Sequence, residues 1–171
     1  MSNETSPVVG SPRADRPGIP PEYGTSKASE FVDWGHVEDR LTADRVYWIA
    51  TVGKGGRPRV RPIDGVYVDR TIYVGGSPAT GWVRELAANP HVSVHLDGVD
   101  DVVIVEGEAE VIARVSDAEL AERIAAASNA KFPEYGMTAA VYKARGAIAI
   151  RPRKVITWTD IGKDPTRFQF D

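Results

Sequence analysis

Between residues 46 and 74 the chain is a series of short runs of β-branched and aromatic residues, parted by turns too tight to hold a helix. This feature narrows the fold more than any other. Residues 46–52 make the first run, Gly53-Lys54-Gly55-Gly56 a turn, residues 59–68 the second run, Asp69-Arg70 a tight turn, and residues 71–74 the third. Strands joined this closely run antiparallel, because a parallel pair needs a long crossover. Residues 91–96 alternate as a further strand. Residues 102–105 are continuously apolar, which predicts burial on both faces. Gly107, inside residues 102–111, predicts a bulge or a barrel corner. Residues 146–151 and 155–159 read as the last strands.

Helices are short and few. Residues 35–44 place Val37 and Leu41 on one face. Ser77-Pro78 offers an N-cap and first turn for a helix with Trp82, Val83 and Leu86 inward, stopped at Asn89-Pro90. Ser116 and Glu119 form a capping box that opens a helix to about Ser128, and residues 137–143 suit another. With about seven strands and no strand–helix–strand alternation, the expected class is mainly β with short α helices. An antiparallel barrel then hides the strand edges.

The 171 residues suit one domain. Residues 1–30, with Pro7, Pro12, Pro17, Pro20 and Pro21, read as a disordered, passive tail or else an arm docked on a partner subunit. Residues 31–171 read as the folded domain. A net charge of −3 gives no electrostatic footprint for nucleic acid. No run approaches the roughly 18 apolar residues of a membrane span, and no signal-peptide core precedes the domain, so no membrane partner and a cytoplasmic location are expected. The chain has no cysteine, which excludes disulfides, thiolate nucleophiles and iron–sulfur clusters.

Arg57, Arg59 and Arg61 are spaced by two, so a strand covering all three turns them to one face. That face is either plainly solvated or an anion site, since crowded guanidiniums repel unless an anion joins them. Gly75-Gly76-Ser77 either makes a turn or presents unpaired N–H groups at a helix start. Arg61 and that helix start could clamp one phosphate. His91 and His95 stand about 13 Å apart along an extended strand, too far for one metal. Asp100-Asp101 reads as a solvated turn. Asp64 interrupts an apolar pattern and faces either outward or toward the site. No phosphate loop, dinucleotide glycine pattern or nucleophile elbow is present, and no catalytic residue can be named.

The segments "YWIATVGKGGRPRVRPIDGVYVDRTIYVGGSP", "RELAANPHVSVHL" and "VVIVEGEAEVI", with the ending "RPRKVITWTDIGKDPTRFQF", resemble the pyridoxamine 5′-phosphate oxidase-like split β-barrel family over roughly residues 36–171. The resemblance implies an FMN-binding type of split barrel, a homodimer with two cofactor sites at the subunit interface, and FMN or the deazaflavin coenzyme F420 as cofactor. It implies an oxidoreductase moving hydride to or from a small-molecule substrate; the alternative is a non-catalytic flavin- or haem-binding carrier. Carried over, Arg61 falls at the cofactor phosphate with Arg59 beside it, and Pro62 and Ile63 border the ring. Gly76, Ser77, Thr80 and Trp82 fall in the phosphate segment, and Trp158 and Arg167 near the flavin. Many members carry Arg-Lys before a "VRNL" stretch. Here Gly81-Trp82 precedes Val83-Arg84-Glu85-Leu86.

Overall fold

The computed structural model describes residues 12–170. Along the chain lie β1 (Arg13–Asp15), α1 (Trp34–Ala43), β2 (Tyr47–Val52), β3 (Pro58–Ile63), β4 (Gly65–Val68), β5 (Thr71–Val74), α2 (Gly81–Ala88), β6 (His91–Leu96), β7 (Val102–Ile112), α3 (Ala118–Lys131), α4 (Ala139–Arg145), β8 (Ala147–Trp158) and β9 (Thr166–Gln169). All strand pairs are antiparallel, in the order β1-β9-β8-β7-β6-β2-β3, with β4 paired to β5 and β5 to β8.

This is a split barrel, and β8 is where it splits. Its first half pairs with β5 through Ile148, Ala149 and Ile150, and its second half pairs with β9 from Lys154 to Thr157. The other edge of β8 follows β7 throughout. Strands β3 and β4 are parted only by Asp64, yet β3 pairs with β2 and β4 with β5. The bend at Asp64 therefore carries the chain from one end of the sheet to the other, and no ladder closes that gap among the described residues. Gly65 permits the bend, since a Cβ there would lie 2.7 Å from Val74 and 3.0 Å from the Tyr47 ring.

The barrel interior holds Val37 and Leu41 of α1 with Tyr47, Ile49, Val94, Val103, Val105, Ile150, Val155 and Phe168. A second core, with Val66, Tyr73, Ile124, Phe132 and Ala149, packs α3 against β4, β5 and β8. Ala147–Ile150 is therefore buried on both faces.

Several sequence expectations shift. The run 59–68 is two strands, divided where Asp64 lacks a ladder partner. The runs 146–151 and 155–159 are one strand, because Arg153 bulges where the register moves between Glu106 and Gly107. Gly107 is required there, since a Cβ would stand 2.3 Å from the Arg151 carbonyl oxygen. Helix α2 begins at Gly81 with Thr80, not Ser77, at its N-cap. Ser77 makes a local turn instead, its Oγ accepting from the Ala79 N–H at 3.2 Å. Asp117, not Ser116, caps α3 by accepting from the Leu120 N–H.

The largest departure is at the N-terminus. Residues 12–30 lie against the barrel rather than forming a passive tail; Pro7 and the rest of residues 1–11 fall outside the described residues. Strand β1 pairs with β9, and Asp15 accepts from Arg167 and from Gln169. Arg16 donates to the carbonyls of Glu30 and Pro165, and the Ser29 and Glu30 N–H groups share the Lys163 carbonyl. Composition understates this segment because its order comes from specific hydrogen bonds and not from apolar burial.

Candidate cofactor site

The β2–β3 hairpin sets Arg59 opposite Thr51, Arg61 opposite Ile49 and Ile63 opposite Tyr47. Directly paired residues share a face. Thr51, Ile49 and Tyr47 are buried, so Arg59, Arg61 and Ile63 lie on the interior side of the sheet near its open edge. Arg57 falls in the preceding turn. Pro62 is on the opposite, outer face and is exposed.

Helix α2 covers the two arginines with Trp82 and Glu85. The Arg61 guanidinium sits 5.3 Å from the Trp82 ring centroid and its Nη1 lies 3.5 Å from Thr51 Oγ1. Burial pulls the Arg61 pKa below its ordinary value; Glu85 acts against that shift and Arg59 with it. Arg61 has no ion-pair partner among the described residues. Arg59 does: its Nη1 is 2.7 Å from Glu85 Oε1. The second Glu85 oxygen is buried with no hydrogen-bond partner.

Between β5 and α2, residues 75–80 form a loop closed by Thr80 Oγ1–H donating to the Ser77 carbonyl at 2.6 Å. Gly76 approaches so closely that a Cβ would meet Ile148 at 2.6 Å and Trp82 at 2.9 Å. This loop forms one wall of a cavity of about 610 Å³, whose other walls are β4, β5, α3 and α4. Tyr73, Phe132, Tyr135, Tyr142, Val74 and Val141 give it an aromatic and apolar lining, with Asp64 and Arg145 among its few charges. Asp64 is thus both exposed and turned to a site. Burial raises the Tyr73 and Tyr142 pKa values, and the hydrogen bond to Asp64 raises that of Tyr135. All three phenols are therefore neutral near pH 7.

Two features therefore stand near the β5–α2 loop: the Arg59, Arg61 and Glu85 corner under α2, and the apolar cavity, which Gly76 and Ser77 line and Arg59, Arg61 and Trp82 do not. Of the expected residues, Arg61 meets Trp82 and Arg59 meets Glu85 at the first, Gly76 and Ser77 line the second, Thr80 closes the loop between β5 and α2, and Ile63 lies on the barrel side of β3. Trp158 and Arg167 lie elsewhere in this chain. Trp158 pairs with Val102 at the far end of β8, and Arg167 forms an ion pair with Asp15.

The family model for pyridoxamine 5′-phosphate oxidase matches residues 34–159, most of the chain. The chain belongs to the pyridoxamine 5′-phosphate oxidase-like family. No curated protein matches it significantly. Among solved structures, an FAD-binding protein from Mesorhizobium loti is 23% identical, with 80% of this chain and 94% of that one covered at a TM-score of 0.57. An F420 reductase is 20% identical, with 69% and 94% covered at 0.53. A haem storage protein from Vibrio cholerae is 18% identical, with 70% and 89% covered at 0.53. At these identities the likeness shows the split-barrel fold that the family shares.

Reading the sequence alone misses Thr51, Glu85 and most of the cavity. Glu85 lies one turn after Gly81 in α2, facing back onto the arginines, and that spacing was a usable signal. The cavity's tyrosines carry no motif, because they come from three separate elements. Among the described residues no cluster of His, Cys, Asp and Glu could hold a metal, and no helix is long and apolar enough to cross a membrane.

Proposed function

We propose that this protein binds a flavin-type cofactor, FMN or the deazaflavin coenzyme F420, and serves as an oxidoreductase for a small-molecule substrate. One observation carries the reading: Arg61 is a half-buried guanidinium with no ion-pair partner among the described residues, lying over Trp82, whose ring packs close to Gly76 of the loop that walls an aromatic cavity. Arg61 would hold the cofactor's phosphate through its two-pronged N–H geometry, and the Ser77 and Thr80 segment would border it. A cavity of about 610 Å³ falls in the range that encloses small ligands.

A bound flavin or deazaflavin supplies the hydride chemistry itself. The chain's part is to bind, orient and keep water away. Val74, Val141, Phe132 and the neutral tyrosines suit that task.

We further propose a homodimer in which Trp158 and Arg167 of one copy approach the cofactor of the other. Support comes from the outer sheet face. Trp48, Pro62, Ile104, Ile156 and Trp158 share that face by strand register, and Val60 beside them is 58% exposed. A carrier role for haem is the weaker reading, because no histidine among the described residues lines the cavity.

Titration of the full chain with FMN and with F420, followed by absorbance and fluorescence, tests the proposal. Saturable one-per-subunit binding of either is expected. Failure of both to bind overturns it. Binding with no turnover against a panel of oxidants and reductants leaves the carrier role in place of the enzyme.

A further inference from the structure

The charges around Arg61 are not those of a site for a doubly charged phosphate. Arg59 and Arg61 supply two positive charges, and Glu85 returns one negative charge between them and α2. Glu85 is not a loose surface carboxylate. Its side chain is 15% exposed, against 53% for the Arg59 that meets it at 2.7 Å. Its second oxygen is buried and accepts no hydrogen bond among the described residues, so no protein donor spreads that charge. Trp82 occupies one face of Arg61, leaving a single guanidinium fork for an incoming anion.

Resting on the proposed cofactor reading, we propose that this corner selects a singly charged phosphodiester over a doubly charged phosphomonoester, and that Glu85 sets the selection. A phosphomonoester loses its second proton near pH 6. At pH 8 its second charge finds no further cation on β3, because Arg59 is already held by Glu85, and the Arg84 guanidinium of α2 is turned onto the Ala79 carbonyl. A buried, poorly screened carboxylate then repels it across a few ångströms. A phosphodiester carries one charge and matches the Arg61 guanidinium, which has no ion-pair partner among the described residues. Of the two cofactors considered, FMN is a phosphomonoester and F420 a phosphodiester.

The test uses one ring and varies only the phosphate. Riboflavin, FMN and the methyl ester of FMN are titrated into the full chain at pH 8, with binding read by flavin fluorescence and calorimetry. The wild type is expected to hold the methyl ester about tenfold tighter than FMN. Glu85→Gln is expected to tighten FMN about tenfold and to abolish the preference. Arg59→Gln is expected to weaken both phosphates, since it frees Glu85 to oppose them. If Glu85→Gln melts before it can be titrated, Glu85→Met removes the same charge with an apolar side chain of similar length, and the same shift is expected.

Tighter binding of FMN than of its ester by the wild type overturns the proposal. An unchanged ratio in the Glu85 variants also overturns it. If only the deazaflavin ring binds, deazaflavin riboside phosphate and its methyl ester replace the flavin pair with the same expected ratios. If no ring of either kind binds the wild type, the cofactor reading itself has failed, and this inference fails with it.

Discussion

At the scale of single residues, Arg61 carries the most weight. A charge-assisted, forked pair contributes about 1.5–3 kcal/mol, so Arg61→Ala should weaken flavin binding by roughly ten- to a hundredfold. Arg61→Lys should recover only part, because lysine keeps the charge and loses the fork. Calorimetric titration of the three proteins checks this, and equal affinities would remove Arg61 from the site. The fold pays a small cost too, since the guanidinium lies over Trp82, and about 1 kcal/mol of stability should go with it. Lys131 is a second informative residue. Its ammonium donates to the carbonyls of Leu41 and Asp44 and to the Tyr47 hydroxyl, capping the end of α1. Lys131→Met leaves the Asp44 carbonyl without its donor, while the Tyr47 hydroxyl still donates to the Leu41 carbonyl, and should destabilise by about 1–3 kcal/mol. Burial also pushes the Lys131 pKa down to about 8, below its unfolded value of roughly 10.4. Between those two values the unfolded chain holds the extra proton, so this group's contribution to stability rises with pH across the window. Denaturant melts at pH 7.5 and pH 10 should show that rise in the wild type and a flatter response in Lys131→Met.

At the scale of elements, the sequence was most legible where local chemistry and tertiary structure agree. The β4–β5 turn follows directly from Asp69-Arg70, which take φ values of 48° and 59°, as a two-residue hairpin turn requires. The corner at Gly107 follows from the absence of room for a side chain. Legibility ended where non-local contacts decide. Strand β1 is a three-residue strand in a proline-rich segment, and only its bond to β9 makes it a strand. The run at residues 102–105 is apolar throughout, yet only Val103 and Val105 are buried; Val102 and Ile104 face outward. The pattern was real, but its cause is an outer face and not a second layer of this chain. Likewise Arg59 and Arg61 were visible as a pair, whereas their tie to Glu85 depends on how α2 lies. A prediction follows for the N-terminal arm. Removing residues 1–16 exposes the edge of β9 and strips Arg167 of Asp15, and should lower the melting temperature by several degrees, at about 2–4 °C per kcal/mol for a chain of this size. An unchanged melting curve would show that the arm adds nothing. The arm leans on the loop before β9, where Asp164 is nearly buried. Burial acts upward on its pKa, but the Thr159 hydroxyl and the N–H groups of Thr159 and Asp160 outweigh it and hold the carboxyl below its usual range. A depressed acid stabilises above its unfolded pKa of about 3.9 and loses that contribution as pH falls through the folded value. Asp164→Asn should therefore destabilise at neutral pH and narrow the gap to wild type in acid melts.

At the scale of the whole molecule, the outer sheet face has to be explained. In an isolated barrel the residues alternating with the core should be polar. Here the register lines up Pro62, Trp48, His95, Ile104 and Ile156 across five strands, with Trp158 next along β8 and Arg167 beyond Ile156. Trp48 stacks on His95 with 9° between the planes and donates to Asp97 at 2.6 Å, so the face is already ordered. A largely apolar face of this kind, with His95 stacked on Trp48 within it, marks a protein contact, and an isologous pairing of two copies lets each cover the other's. A stable pairing should bury at least about 1,000 Å² in total. Sedimentation at micromolar concentration is therefore expected to show a dimer, and dilution should change the fluorescence of Trp48 and Trp158 as they become wetter. Ile156→Glu places a charge at the centre of the face, where no cation on β7 or β9 other than Arg167 can meet it, and should give a monomer. The barrel core should survive, because Ile156 does not belong to it. If Trp158 and Arg167 serve the partner's cofactor, this monomer should also lose flavin affinity although Arg61, Trp82 and the cavity are untouched. A monomeric Ile156→Glu that binds flavin as tightly as wild type would confine the whole site to one chain and remove Trp158 and Arg167 from it.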